Sequence, residues 1–587
     1  MFLTRRHLTT KFEEPLIYLS FYESYMIAFT PENFRQQFPL IQDTLHSNVK
    51  TKKPVIYFDN AATTQKPHQV IARQVHFYEQ ENANVHRSSH TLSNLSTSAY
   101  EKSRQLAQMF IGANALEEII WTKGATESIN IVTQSLAKDV LKKGDEIVLS
   151  LCEHHANIVP WQIVAKQTGA TIKTLPLTYD GYIDIAQLDN IITKKTRFVA
   201  CAHISNVLGR KNDISSVIQK AKSVGAITLI DGAQAVAHIN IDVAALDCDF
   251  YVFSAHKMFG PTGVGVLYGK KSLLECMTPY QSGGEMIKHV SFEQETTFNQ
   301  LPFKFEAGTP NIAGVIAFAD CINFIKPLLI EQGSAYKKYE QTLTKYCYEA
   351  LAKINDVRFV VDGLPDIGVI AFYVVGHHNQ DISTSLDTFG IAIRSGHHCA
   401  MPLMQTLSIE GCLRVSLSAY NTTQEVDEFI KCLQNILAAT NKLVQEINAL
   451  PIHSHNNEMQ MVIDKFAKAK SWDAKHREIM LIGNNLCRLE KSQRNEGCLI
   501  SGCESSAWLV IASFEQSKYH FVGDSDAKII RGLLFIVLAI FNNKTSKEIA
   551  VVDIHSYFKH LGLLNHLSPS RSNGLLAIVD RIKYLAG

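Results

Sequence analysis

Apolar residues first fall into a regular pattern near Thr30, where Phe34, Phe38 and Ile41 sit at helical spacing. From about residue 100 to 270, short apolar runs alternate with amphipathic stretches. The runs Glu146–Ser150, Arg197–Ile204, Ala226–Ile230 and Asp249–Phe253 predict strands, and the stretch between Asp213 and Val224 predicts a helix. This alternation predicts an α/β fold with a mostly parallel sheet covered by helices. In such sheets ligands gather at the carboxyl ends of the strands. A smaller α/β unit is expected over about 320–440. A polar stretch, Asn448–Glu458, reads as a linker. Beyond it the pattern predicts helix, two strands (near Trp508–Phe514 and Tyr519–Val522) and further helices, an α+β unit. The expected divisions are therefore an extension over 1–29, a large domain over 30–319, a small domain over 320–445, a linker over 446–459 and a C-terminal domain over 460–587.

Composition narrows the class. The 587 residues carry a formal net charge of +1, which provides no broad attraction to nucleic acid. Leu533–Phe541, the longest clean apolar run of the second half, is far short of a membrane span. The 12 cysteines are scattered rather than dense, as in a reduced, cytoplasmic protein. Arg5, Arg6 and His7 precede no long apolar core, so no secretory signal is expected, and Glu13, Glu14 and Glu23 argue against a transit peptide. A flexible extension is the expectation there, with Met26 as an alternative start.

Candidate chemistry lies just after the expected strands. One ends at Asp231-Gly232-Ala233-Gln234, another at Ser254-Ala255-His256-Lys257. An acid after one strand and a lysine after a neighbour suit pyridoxal phosphate: the lysine makes the Schiff base and the acid keeps the pyridine nitrogen protonated. Singly, each residue is more often structural; together, in this order, they are less often accidental. Gly124-Ala125-Thr126-Glu127-Ser128 opens a helix whose N–H groups suit a phosphate. In Glu153-His154-His155-Ala156-Asn157, an imidazole could stack on the ring.

With Tyr57-Phe58-Asp59-Asn60-Ala61-Ala62 and Phe305-Glu306-Ala307-Gly308-Thr309-Pro310, these motifs resemble, in order, the group II (SufS-type) cysteine desulfurases of the class V aminotransferase-like, fold-type-I family. The resemblance covers roughly residues 30–440. It implies Lys257 as the Schiff-base lysine, Asp231 on the pyridine nitrogen, Gln234 on the ring hydroxyl and His154 on the ring face. It implies Thr126, Ser254 and His256 on the phosphate, with Thr309 supplied by the neighbouring subunit of a homodimer. Asn206 would lie near the ring hydroxyl and the substrate carboxylate. Ala125 replaces a threonine common in relatives, which removes a side-chain donor and leaves a backbone N–H.

Arg394-Ser395-Gly396-His397-His398-Cys399-Ala400-Met401-Pro402 is a basic loop around a cysteine. Arg394, His397 and His398 are expected to supply positive charge, which favours a thiolate, the nucleophilic form. No second ligand pair stands at metal spacing, so no zinc centre is expected. The loop resembles the group II catalytic loop, which implies that Cys399 takes sulfur from L-cysteine as a persulfide. Arg414, in Cys412-Leu413-Arg414-Val415-Ser416, would hold the substrate carboxylate as a planar fork, assisted by Arg394.

Ser501-Gly502-Cys503-Glu504-Ser505-Ser506, Gly523-Asp524-Ser525-Asp526 and Leu567-Ser568-Pro569-Ser570-Arg571 resemble SufE-type sulfur acceptors over about 460–587. That likeness implies Cys503 as the acceptor, with Asp526 and Arg571 beside its loop, and leaves Cys498 open as a second acceptor, a resolving thiol or a buried spectator. An iron–sulfur scaffold protein would then be the sulfur recipient, and selenocysteine lyase activity a side reaction. The rival expectations are another class V enzyme, an aminotransferase or epimerase, and a C-terminal unit that docks without carrying sulfur.

Overall fold

The computed structural model describes residues 29–42, 55–330, 333–448, 458–469, 472–500, 505–515, 517–561, 563 and 569–587. Its centre is a seven-stranded sheet. The strands are β1 (Ile119–Thr122), β2 (Glu146–Ser150), β3 (Thr171–Leu175), β4 (Thr196–Ala202), β5 (Ile227–Asp231), β6 (Phe250–Ser254) and β7 (Gly265–Gly269). Their order is β1-β7-β6-β5-β4-β2-β3, and only β7 runs antiparallel to its neighbours. The period of two shows in the packing. Val148, Val199, Ile230 and Phe253 face one core, while Ile147, Phe198, Leu229 and Val252 face the other. Both faces are covered, which is why the parallel strands read as nearly continuous apolar runs.

Helix α1 (Thr91–Ile111) covers one face; α2 (Ala125–Val132) follows β1, and α3 (Ile214–Ser223) links β4 to β5. Helix α4 (Ile312–Ile330) is long and apolar enough to cross a membrane by length and composition, yet more than half of its apolar window is buried inside the protein. It packs on α1 in the main core through Ile316, Ile322 and Ile325. The expected boundary at 319/320 falls inside this helix.

Helix α5 (Gly333–Ala352) leads into a four-stranded antiparallel sheet. Its strands are β8 (Val357–Phe359), β9 (Val369–Val374), β10 (Arg394–Gly396) and β11 (Cys412–Ser416), in the order β8-β9-β11-β10. Helix α6 (Asn379–Asp387) packs against β10 and β11, and α7 (Thr423–Asn448) closes the layer. The segment near residue 57 belongs spatially to this unit: Ile56–Tyr57 pairs in parallel with Ile391–Ala392, and Phe58 is buried in its core.

The C-terminal unit begins with α8 (Glu458–Lys468) and has its own core. An antiparallel hairpin, β12 (Ala507–Glu515) and β13 (Lys518–Ser525), packs against α9 (Lys528–Phe541), and α10 (Pro569–Ala586) ends the chain. Helix α9 is apolar nearly all round because it is the centre of this core. Gly532 lets it approach the helix Trp472–Ile482: a Cβ there would lie 1.9 Å from Ile479 O. Fully buried Asp524 ends the hairpin and is held by Arg488 (3.2 Å), Arg494 (2.9 Å) and Arg531.

Candidate active site

Five parallel strands deliver their carboxyl ends to one place. After β1, Gly124 precedes the start of α2, and after β2 comes His154. Asn206 follows β4, β5 ends on Asp231, and β6 ends on Ser254 three residues before Lys257. Antiparallel β7 runs beneath the α2 turn so closely that a Cβ on Gly265 would sit 2.4 Å from Gly124 Cα. Ser254 Oγ accepts the Ala125 N–H at 2.9 Å, so this N–H, expected to be available to a phosphate, already has a partner. Asp231 is buried. The Ala233 N–H donates to its Oδ1 at 2.9 Å, and no hydrogen bond to Oδ2 is formed by the described residues. Gln234 donates to Ala61 O at 2.8 Å. Lys257 lies within electrostatic reach of Asp231, Arg414, Cys399 and Arg394, which shows that the sheet and the small unit share one site.

Burial sets the protonation states. It lowers the Lys257 amine below its ordinary range, partly opposed by Asp231, and it raises the Asp231 carboxyl. Burial, then Lys257, lowers His154 to about 4. His154 Nδ1 accepts from Ala156 N–H at 3.1 Å, which leaves the ring proton on Nε2. Burial also lowers His256 to about 4.

Cys399 is half-buried on the loop between β10 and the helix Met401–Thr406. His398 and Cys399 both adopt left-handed backbone, with φ of 51° and 56°. Two consecutive non-glycine residues in that region are strained, and surrounding bonds must hold them there. His155 N–H donates to Cys399 O at 2.7 Å, and His155 Nε2 accepts the Met401 N–H at 3.1 Å. Asn206 Nδ2 donates to His398 O at 2.9 Å, and His398 Nε2 donates to Cys412 O at 3.0 Å. The expectation that both loop histidines supply positive charge needs correction for His398: burial lowers it to about 3, so it is neutral and structural.

Arg414 stands opposite Arg394 across the β10–β11 pair. Like charges in that register repel unless an anion joins them. Arg414 is 2% exposed and donates to Asp59 Oδ1 (2.9 Å) and Asn206 O (3.0 Å). Its Nε is buried with no hydrogen-bond partner among the described residues. A buried unsatisfied donor is costly, so this position suits an anionic acceptor.

A cavity of about 640 Å³ connects this loop to the C-terminal unit; Arg394, His397, Cys399 and His378 line one side and Asp526 the other. Asp526 is joined to the residues after Cys503 by its N–H, which donates to Ser506 O at 3.2 Å. Cys503 itself lies outside the described residues, as does the side chain of Arg571 in α10. Cys498 is half-buried near the start of the hairpin, its carbonyl accepting from Leu509 N–H at 2.9 Å. Thr126 and Thr309 are both exposed, and Thr309 lines a separate cavity that does not include Lys257. Asp59, His155, His378 and Asp381 were given no role on sequence. Asp59 and His155 sat inside quoted motifs, but only the folded chain shows what they touch. No group of residues suited to a metal occurs among the described residues.

The strand-end acid and lysine of a mixed, mostly parallel sheet define a protein class, and the comparisons agree. Residues 56–429 match the family model "Aminotransferase class-V", and residues 460–586 match SufE, "Fe-S metabolism associated domain". A probable cysteine desulfurase of Vibrio cholerae is 47% identical over 399 residues, 68% of this chain and 96% of that protein. A cysteine desulfurase of Pectobacterium carotovorum is 43% identical over 410 residues, 70% of this chain and 98% of that one. The crystal structure of the cysteine desulfurase CsdA, in an S-sulfonic acid form, from Escherichia coli matches with a TM-score of 0.64 and 40% identity, covering 70% of this chain and 99% of that one. The chain belongs to the class V aminotransferase family. Within that family it is a cysteine desulfurase, and it carries a C-terminal SufE domain.

The cofactor implied is pyridoxal 5'-phosphate, and the residues fit it. Asp231 is a buried carboxyl with an open oxygen for a ring N–H, and Lys257 is an amine that burial shifts toward its nucleophilic neutral form.

Proposed function

We propose that this protein takes sulfur from L-cysteine onto Cys399, releases L-alanine, and passes the sulfur to Cys503 of its own C-terminal domain. The observation that carries the reading is Cys399 itself, on a strained loop held by four hydrogen bonds, within electrostatic reach of Lys257 and on the wall of a cavity shared with the C-terminal unit. Bound pyridoxal phosphate supplies the electron sink for the amino acid. Arg414 and Arg394 hold the substrate carboxylate, and Asp59 orients Arg414. Asp231 and Gln234 orient the cofactor, His154 covers its ring, and Thr126, Ser254 and His256 hold its phosphate, with the backbone of Ala125 fixed by Ser254. Lys257 takes the α-proton at Nζ. The Cys399 thiolate attacks the substrate sulfur. The carbon–sulfur bond breaks, its electron pair stays on the amino-acid carbon, and that carbon gains a proton and leaves as alanine. Cys503 then attacks the outer sulfur of the Cys399 persulfide, and Cys399 departs as thiolate, so no external oxidant or reductant is needed.

Five further parts complete the reading. The match of residues 460–586 to an Fe–S metabolism domain supports delivery to an iron–sulfur scaffold protein. Leu92, Leu95, Val75 and Tyr78 are large apolar side chains exposed in the single chain, which suits a homodimer in which Thr309 would reach the partner's cofactor. No disulfide joins any of the eleven described cysteines, which suits the cytoplasm. Asn448–Glu458 would serve as tether between the units, and selenocysteine would be accepted as a side substrate. Purified enzyme given sulfur-labelled L-cysteine should yield alanine, with label on Cys399 and then Cys503 by mass spectrometry. Alanine formation with no label on either cysteine would sink the proposal.

A further inference from the structure

Helix α6 of the small unit begins with His378 as its N-cap and carries Asp381 in its first turn. Both side chains reach across to the C-terminal unit. Asp381 is 8% exposed, and its Oδ2 accepts the backbone N–H of Lys528 at 2.9 Å. Lys528 is the first residue of the 14-residue helix α9, so the carboxylate meets the positive end of that helix at one of its uncapped N–H groups. The helix lacks a side-chain cap of its own, because Ala527 occupies the N-cap. Asp381 therefore supplies from another domain what serine or aspartate ordinarily supplies locally. The second contact is independent. His378 Nδ1 accepts the Gln380 N–H at 3.3 Å, which leaves the ring proton on Nε2, 3.2 Å from Ser505 Oγ. Ser505 stands two residues after Cys503, and His378 lines the same cavity as Cys399.

We infer that the C-terminal domain docks in cis, on the small unit of its own chain, through a two-point latch made by Asp381 on the α9 N-terminus and His378 on Ser505. This deepens the sulfur-transfer reading and rests on it, since it names the surface that brings the acceptor to Cys399 and the chain that provides it. A carboxylate on a partly buried N–H is a charge-assisted bond and supplies direction as well as attraction. The tether then raises the local concentration of the docking surface, so a latch of only two polar contacts suffices.

Lys528→Pro tests the latch with little risk to the fold. Proline removes the donated N–H together with the Lys528 ammonium that Asp381 also attracts, is favoured at the first helical position, and follows Ala527, whose extended backbone (φ −87°, ψ 127°) is compatible with a following proline. Asp381→Lys is the second variant, placing a cation against the helix end. Docking is read without sulfur transfer, by the rate at which a bulky polymer-linked maleimide alkylates Cys399 in the full-length, cofactor-loaded protein. Both variants should be alkylated about tenfold faster than wild type, the loss expected for one charge-assisted bond. Cofactor absorbance and alanine formation with added dithiothreitol should be unchanged. Equal alkylation rates in wild type and both variants would overturn the latch. In a mixture of tagged wild-type and Lys528→Pro chains, only the variant chains should react faster; exposure of Cys399 on the wild-type chains would overturn docking in cis. Sulfur label that never reaches Cys503 in the wild type would count against the transfer reading alone, with the alkylation rates still deciding the latch.

Discussion

Lys257 and Cys399 serve one site by opposite means. Lys257 follows a central strand of a seven-stranded sheet, and main-chain ladders on both sides of β6 fix where that strand ends. Cys399 has no ladder. It sits on a loop in unfavourable backbone geometry, held by side chains from other elements: His155 from after β2, Asn206 from after β4, and its neighbour His398. The difference teaches how placement follows task. A group that works on one bound molecule can be built into the sheet. A thiol that, in the function proposed, meets first a substrate and then a second thiol is better carried on a loop with an open side, and the loop of Cys399 lies on the cavity shared with the C-terminal unit.

The largest expected effect attacks the rigid side of this contrast. Lys257→Ala should lower alanine formation by about 10³-fold or more, the scale of losing a positioned acid–base group, with a melting temperature close to wild type. Cys399→Ser should be nearly as damaging to alanine and sulfide production while leaving cofactor absorbance intact; unimpaired turnover would show that the loop is not where sulfur is taken. Asp59→Ala frees one arm of Arg414 and should raise KM for L-cysteine about tenfold with a smaller change in kcat, since a hydrogen bond to a charged group is worth roughly 1.5–3 kcal/mol. A steady-state KM unchanged in that variant would deny the carboxylate role to Arg414. His155→Ala removes one strap and should cost sulfur abstraction a few-fold, about 1 kcal/mol, while cofactor binding stays as it was.

The smallest effect is on stability against pH. Burial raises Glu153 to about 8 from an ordinary 4.5, although Ser150, Asn157 and the Ala202 N–H bond to it. Between those values the folded chain keeps a proton that the unfolded chain has lost, so this residue makes stability fall as pH rises from about 4.5 to 8. Glu153→Gln should flatten that slope in thermal unfolding measured across the window. A slope as steep as wild type would show that the carboxyl is already ionised in the fold.

Four of the seven strands were legible because each is a local run with local punctuation; Ile119–Thr122, Thr171–Leu175 and Gly265–Gly269 were not read, and the strand expected at Arg197–Ile204 is Thr196–Ala202. The strands expected at Glu146–Ser150 and near Ala226 and Asp249 differ from the observed ones by at most a residue or so, which is how Asp231 and Ser254 come to end strands rather than follow them. Contacts that depend on distant segments were not legible. Nothing in the spacing of Asp59 says that it meets Arg414, 355 residues away, and nothing near Asp381 says that it caps a helix 147 residues on. The charge state of His398 was misread for the same reason. A histidine next to a cysteine looks basic in sequence, and only its burial against Cys412 makes it neutral.

Helix α6 has a second partner besides the C-terminal domain. Ser383, on the same helix as Asp381, shares a hydroxyl–hydroxyl contact of 3.0 Å with Ser395 of β10, the strand that leads into Cys399. One short helix thus touches both the domain that arrives and the strand that carries the nucleophile. Thermodynamic reciprocity follows from any such shared part: if a change at Cys399 alters how firmly the domain is held, the held domain must alter the energy of that change by the same factor. Loading the cysteine and recruiting its acceptor would then be two readings of a single equilibrium, measurable from either end.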